Sequence, residues 1–160
     1  ELAEKLGGNY DYLSVPAAAP NQDIARLLVS GTHLEESFSR AAQCDVAVLG
    51  VGAYGHGSSE GFLEFARATP TERQQAEERG VVGQMSSLFF DGDGSELNIV
   101  LNERLFSVSL PQIRTIPHVA AVAVGPQKSG AVAAALRGNL ITDLIVDEEL
   151  AEHILEGYTS

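Results

Sequence analysis

The chain has no tryptophan, one methionine and a single cysteine, Cys44. One cysteine excludes an intrachain disulfide and fits a reducing compartment, with Cys44 itself expected as a small core residue. Lysine is almost as scarce, confined to Lys5 and Lys128. Against 22 acidic residues stand only ten Lys and Arg, for a formal charge of -12. The ten are scattered, so the chain lacks the clustered cations that grip nucleic-acid phosphates. No apolar run approaches the roughly 20 residues of a membrane-spanning helix, and no signal peptide is recognisable. What remains is 160 residues, 44% hydrophobic, enough to bury one core as a single soluble domain.

The scarcity of lysine makes the place of Lys128 informative. Val119 to Val124 is apolar at every position, the pattern of a strand covered on both faces in a parallel sheet. Gly125 and Pro126 end it. The small residues from Ser129 to Leu136 predict a helix that packs closely on the sheet, stopped by Gly138 and Asn139. Ile141 and Leu144 to Val146 read as a second buried segment, and Asp147 as the cap of a last acidic helix. Lys128 therefore sits where a buried strand hands over to a helix. There an α/β protein presents free backbone N–H groups and the positive end of the helix dipole to anions. The alternative is a lysine merely solvated near a turn.

The rest of the chain alternates as a doubly wound fold requires. Tyr10 to Ala17 reads as a short strand and Asn21 to Ser30 as a helix, with Gly31 as separator. Thr32 and Glu35 form a T-x-x-E capping box that starts a helix running to about Gln43, ahead of the strand Val46 to Val51. Helices are expected over Ser58 to Ala68 and Thr71 to Arg79, the second largely polar. Phe89 and Phe90 lead into Asp91-Gly92-Asp93-Gly94, a turn of the kind that joins antiparallel strands. Ile99 to Leu101 and Leu105 to Leu110 are expected to flank a hairpin or an edge strand. The fold class is thus α/β, a mostly parallel, doubly wound open sheet with helices on both faces.

Gly50 to Gly61 is the second place for chemistry, since glycines after a buried strand let a ligand approach the backbone. Gly52, Ala53, Tyr54 and Ser58 are its candidate contacts, and Ser58 or Ser59 is expected to cap the following helix or to meet a phosphate or sugar hydroxyl. His56 is either solvated or bonded to a ligand. Gly50, Gly52 and Gly55 match G-x-G-x-x-G, but no βαβ unit opens from them and no acidic residue stands about 20 positions on, so a dinucleotide is rejected. Asp91 and Asp93 evoke a calcium loop, yet Glu96 replaces its sixth-position glycine and Asn102 its twelfth-position acid. His33, His56, His118 and His153 have no metal-ligand spacing, and there is no G-x-S-x-G elbow. Neither a metal nor a cofactor is expected.

GPQKSGAVAAALRGNLITDLIVDEELAEHIL, from Gly125 to Leu155, resembles the end of the sugar-binding effector domain of SorC-family bacterial transcription regulators. DVAVLGVGAYG at Asp45, GVVGQMSSLFFDGDG at Gly80 and LPQIRTIP at Leu110 resemble that family in the same order. The resemblance implies a relative of the sugar-phosphate isomerase, deaminase and CoA-transferase folds that senses a small phosphorylated sugar. It further implies a cytoplasmic homodimer or homotetramer contacting DNA through an N-terminal helix-turn-helix. That module and the opening of the sensing domain are expected upstream of Glu1, since ELAEKL reads as the inside of a helix. The ligand set so implied is Lys128, Ser129, Gln84, Gly52, Ala53, Tyr54, Ser58 and Asp91. Gln84 stands where the family commonly carries Asp, so an amide replaces a carboxylate; it either reads a sugar hydroxyl or bonds backbone at a strand end. Two other readings stay open: an isomerase- or deaminase-like enzyme, and an oligomerisation domain with a degenerate site. Phe62, Leu63 and Phe65 are candidates for the pairing face or for the core.

Overall fold

The apolar run after Asp45 becomes the central strand of a five-stranded sheet. The computed structural model describes residues 2–30 and 32–159. In chain order the elements are α1 (Leu2–Lys5), α2 (Gln22–Val29), α3 (His33–Ala42), β1 (Val46–Ala53), α4 (Gly57–Phe65), α5 (Pro70–Glu78), β2 (Val81–Met85) and β3 (Leu88–Asp91). They continue with α6 (Val100–Glu103), α7 (Leu110–Ile113), β4 (His118–Ala123), a 3-10 turn (Pro126–Lys128), α8 (Ser129–Arg137), β5 (Asp143–Val146) and α9 (Glu148–Thr159). The strand order is β3-β2-β1-β4-β5. β1, β4 and β5 pair in parallel, while β2 is antiparallel to both β1 and β3. Four strands therefore share one direction, and the expected mostly parallel open sheet is what forms.

Side-chain size sets the layers. α8 presents Ala131, Val132, Ala134 and Ala135, all buried, and so lies close on the sheet. A Cβ on Gly83 would stand 2.5 Å from the Phe90 ring and 2.8 Å from Ala131, so glycine is what lets β2 pass beneath this helix. On the opposite face α4 lays Phe62 against Phe89, which also meets Tyr54 edge-on at 5.9 Å between ring centres. Leu63 is fully buried, but Phe65 is exposed, so of the three candidates for a pairing face only Phe65 remains outside the core.

The expected helices form within a residue or two of their expected limits, except that α4 ends at Phe65, three residues before Ala68, and side-chain caps open α2 and α3. Asn21 Oδ1 accepts from Ile24 N at 2.9 Å to open α2. Thr32 Oγ1 accepts from Leu34 N at 3.2 Å to open α3. Gly31, expected between these helices, lies outside the described residues, as does Glu1.

Several expectations are corrected. Tyr10 to Ala17 is not a strand: Tyr10, Tyr12 and Leu13 are exposed, and the nearest pairing is the isolated bridge Ala18–Leu105 just after the segment. Alternation alone does not make a strand where no neighbouring edge accepts it. Ile99 to Leu110 is not a hairpin: it holds the short helix α6 and leads into α7 at Leu110. The reason is Asn102, whose buried amide accepts from Phe89 N at 3.0 Å and donates to the Phe89 and Leu97 carbonyls, standing in for a ladder partner. The turn joining β2 to β3 is Ser86-Ser87, both at positive φ, the geometry of a two-residue hairpin that usually takes Asn-Gly. Asp91-Gly92-Asp93-Gly94 follows β3 and turns the chain back to the bridge Phe90–Glu96. Finally, Val122, Val124 and Ile145, expected in segments covered on both faces, are exposed.

Candidate functional site

Parallel strands aligned in register bring their carboxyl ends together, and β1 and β4 do so side by side. Gly50 pairs with Val122, so the two loops that follow, Tyr54–His56 and Val124–Lys128, begin as neighbours, and β1 packs against the 3-10 turn that carries Lys128. Gly125 has φ +96, and a Cβ there would meet the Gln127 amide at 2.6 Å, so this turn needs glycine. Its N–H donates to Asp147 Oδ1 at 3.1 Å, which ties the loop to the start of α9. Asp147, expected as a cap, braces the β4–α8 loop.

Two helices open at this rim, and neither is capped by a side chain. α4 begins after His56 and α8 after Lys128, both without a side-chain cap bond. By contrast, α2, α3, α5 and α7 each close their first turn with Asn21, Thr32, Thr69 or Ser109. Backbone takes part of each first turn, with Ser59 N donating to His56 O at 3.1 Å and Ser129 N to Pro126 O, while the positive ends of both helix dipoles face this rim; α6, away from it, is likewise without a side-chain cap. Lys128 adds the positive charge. It is half-buried, and no carboxylate among the described residues forms an ion pair with it.

Beside this rim Gly52 pairs directly with Gln84. A Cβ on Gly52 would lie 3.3 Å from Ser59 Cβ and 3.5 Å from Gln84 Oε1, so the three residues converge on one spot of one face. Ser58 is exposed on the outer side of α4. Ser59 is fully buried, and its hydroxyl is the one buried side-chain polar atom among the described residues with no hydrogen-bond partner. The spacing of Ser58 and Ser59 could not rank them; the direction of α4 does.

Tyr54 leans inward, with its hydroxyl donating to Arg73 O at 3.4 Å. Burial, reinforced by the Glu77 carboxylate, raises its pKa, so the ring stays neutral beyond the ordinary tyrosine range. Asp91 is held elsewhere. Its Oδ1 accepts from Asp93 N and Ser95 N, both at 2.9 Å, which shapes the turn after β3. Arg137, at the far end of α8, donates twice to Gly92 O in that turn. A nine-residue helix, about 13 Å long, separates Asp91 from Lys128. Lys128, Ser129, Gly52, Ala53, Tyr54 and Gln84 are thus gathered at one end of the sheet, whereas Asp91 is not.

The described cavities of about 370 to 550 Å³ lie away from this rim. One is lined by a buried polar cluster that sequence reasoning missed. Arg104 Nε donates to Glu72 Oε1 at 2.6 Å, and its terminal nitrogens donate to Glu72 Oε2 and to the Ala19, Ala66 and Arg67 carbonyls. Burial works to raise the Glu72 pKa, but the bonds from Arg104 and Thr69 outweigh it and hold the carboxyl below its usual range. Every donor of the guanidinium is used within the protein. Among the described residues no three His, Cys, Asp or Glu side chains cluster as a metal site, and no helix is long and apolar enough to cross a membrane.

The "Putative sugar-binding domain" family matches residues 1–156. The Escherichia coli K12 transcriptional regulator LsrR is 31% identical over 144 residues, covering 89% of this chain and 45% of LsrR. The chain thus spans about half the length of the curated relatives it matches. A DeoR family transcriptional regulator from Listeria monocytogenes superposes with a TM-score of 0.86 at 29% identity, over 96% of this chain and 61% of that one. The full-length sorbitol operon regulator SorC from Klebsiella pneumoniae shares the fold, with a TM-score of 0.85 at 24% identity over 96% of this chain and 48% of that one. The chain belongs to the putative sugar-binding domain family, and the curated relatives it matches are transcriptional regulators.

Proposed function

We propose that residues 1–160 sense a small phosphorylated sugar for a transcriptional regulator. The phosphate sits between the N-termini of α4 and α8 beside Lys128 and Ser129, and Gln84 reads a hydroxyl over Gly52. The carrying observation is that the two helices starting at the joined ends of β1 and β4 are left without side-chain caps, next to a lysine that has no ion-pair partner among the described residues. Free N–H groups, dipole ends and one cation are what a phosphate requires. Ala53 and Tyr54 shape the same wall. Gln84 both donates and accepts, so it suits a hydroxyl without adding negative charge near the phosphate.

The sugar is bound and not converted. Asp147, the carboxylate tied to this loop, accepts from Gly125 N, a bond that holds the loop in shape. Binding tells on DNA through polypeptide outside these residues, in a cytoplasmic homodimer or homotetramer, by favouring one of two subunit arrangements. The net charge of -12 suits a domain that leaves DNA contact to another part of the protein.

The test is incubation of the full-length regulator with a panel of phosphosugars. At a hundredfold excess over Kd, binding adds about 2.7 kcal/mol, or a rise in melting temperature of roughly 5–10 °C. Saturable stabilisation with the sugar recovered unchanged supports the sensor. Steady conversion of the sugar, or no shift with any phosphosugar, overturns it.

A further inference from the structure

Two glycines in neighbouring strands have opposite surroundings. Gly83 of β2 faces α8, and the place a Cβ would take there is already filled, with the Phe90 ring at 2.5 Å and Ala131 Cβ at 2.8 Å. Gly52 of β1 faces the other way, toward α4. Nothing stands closer to its Cβ position than Ser59 Cβ at 3.3 Å, followed by Gln84 Oε1 at 3.5 Å and Gln84 Cβ at 3.9 Å. The protein thus packs onto Gly83, whereas over Gly52 it forms a cradle one heavy atom wide, walled by a hydroxyl-bearing and an amide-bearing side chain.

The hydroxyl in that wall is out of the ordinary. Buried hydroxyls nearly always find a partner, yet Ser59 is fully buried and its Oγ bonds to nothing among the described residues. The first turn of α4 fixes it there, through the Ser59 N–H donated to His56 O at 3.1 Å. Of the three residues only Gln84 can yield, because its side chain is flexible and half-buried, while Gly52 and Ser59 are buried on a strand and a helix. A swing of Gln84 toward solvent opens the cradle to an entering group. None of the atoms nearest the cradle belongs to a charged side chain, so an ionised group would lose its hydration there without gaining a counter-charge. A hydroxyl, which both donates and accepts, suits Ser59 and the Gln84 amide together.

We infer that Gly52, Ser59 and Gln84 form a subsite for one uncharged hydroxyl of the phosphosugar, and that this subsite separates the effector from its deoxy analogue. The hydroxyl oxygen enters the space over Gly52 and bonds to Ser59 Oγ and to the Gln84 amide. The missing side chain at Gly52 is then a specificity determinant, and Ser59 is a second reader beside Gln84. A deoxy analogue offers only C–H at this place and leaves both polar groups unpaired in a dry site, a cost larger than the net gain of an ordinary hydrogen bond. The inference rests on the sensor reading and narrows the class of sugar it admits.

Titration calorimetry on the full-length regulator decides it, with a phosphosugar panel that includes glucose 6-phosphate, fructose 6-phosphate and ribose 5-phosphate, and with the monodeoxy analogues of each sugar that binds. In the wild type, loss of one particular hydroxyl is expected to weaken binding at least about tenfold. Ser59→Ala should cost the parent sugar a similar factor and leave that one analogue unchanged, so that the ratio between the two falls toward one. Gly52→Ala sets a methyl group where the hydroxyl sits, while the analogue lacking that oxygen still fits; the analogue should then bind more tightly than the parent, reversing the wild-type order. Melting temperatures without sugar establish that both variants fold, and if Gly52→Ala does not, the ratio in Ser59→Ala decides. An equal loss for parent and analogue in Ser59→Ala would make Ser59 a packing residue and overturn the inference. So would a wild type that binds a phosphosugar and is indifferent to every deoxy position, a result that leaves the sensor reading standing. Binding of no phosphosugar at all overturns both.

Discussion

Two polar regions of this molecule have opposite accounts of their hydrogen bonds. Around Arg104 every donor of a buried guanidinium finds an acceptor, and Glu72 is further held by Thr69 N at 2.8 Å. At the ends of β1 and β4 two helices begin without side-chain caps, and among the described residues Ser59 keeps a buried hydroxyl without a partner and Lys128 has no counter-ion. The first region is closed chemistry, and its product is structure. The second has unspent donors, and those are what a ligand can use. A buried charge therefore does not by itself mark a site; the leftover bonding capacity does.

The sharpest way to break this contrast is to open the closed region. Arg104→Ala leaves Glu72 and three carbonyls without their donor, and removing one partner of a buried pair costs about 3–5 kcal/mol. Denaturant unfolding should show that loss. In acid the same cluster should weaken in the wild type. Because the folded Glu72 pKa is lowered, its contribution is complete above the ordinary glutamate value of about 4.3 and fades as pH falls through the lower folded value. Urea midpoints measured between about pH 6 and pH 3 should fall less in a Glu72→Gln variant, which starts from lower stability.

A second stability test lies at the end of α8 remote from Lys128. Gly94 has φ +72, and a Cβ there would stand 2.5 Å from Ala134 O, with Gly138 Cα at 2.8 Å. Arg114 clamps the same spot by donating to the Gly94 and Gly138 carbonyls, both at 2.7 Å. Gly94→Ala adds left-handed strain to a backbone clash and should cost about 2–4 kcal/mol by chemical denaturation. If sugar-phosphate affinity survives in the folded fraction, the turn after β3 is structural, as the engaged Asp91 carboxylate implies.

How much of this was legible beforehand follows from which forces act locally. The helices at Asn21, Thr32 and Ser129 and the strands at Val46 and Val119 were readable because caps and unbroken apolar runs act within one element. So was the gathering of Lys128 with Gly52, since parallel strands put their following loops at one end. The Arg104 cluster was not, because its partners Ala19, Ala66 and Glu72 meet only after folding. The Ser86-Ser87 turn escaped because serine seldom takes two consecutive left-handed positions. Asn102 escaped because an amide that replaces a strand leaves no periodic signature. Asp91 was misplaced for a related reason: a short acidic turn looks alike whether it binds a ligand or its own backbone.

At the open region the expected effects fall on binding. Lys128→Ala removes a charge that no protein group uses, so folding should be unchanged within about 0.5 kcal/mol. Phosphosugar affinity should drop by about 2 kcal/mol, roughly thirtyfold, when measured by titration calorimetry on the full-length protein. Equal losses of stability and affinity would place Lys128 in the framework and erase the contrast with Arg104.

Ser59→Ala is the smallest change and the most discriminating. A buried hydroxyl with no partner loses its hydration on folding and recovers nothing, so removing it should raise stability by about 0.5–1 kcal/mol. Nearly every other truncation of a fully buried side chain lowers it, since the lost contacts and the void both count. If the hydroxyl is held in reserve for the effector, the same variant should bind the sugar phosphate more weakly even as it melts higher. Opposite signs in melting temperature and affinity from one substitution are hard to obtain from a packing residue. A fall in both, by contrast, would show that Ser59 fills space between Gly52 and Gln84 and belongs with the closed chemistry around Arg104.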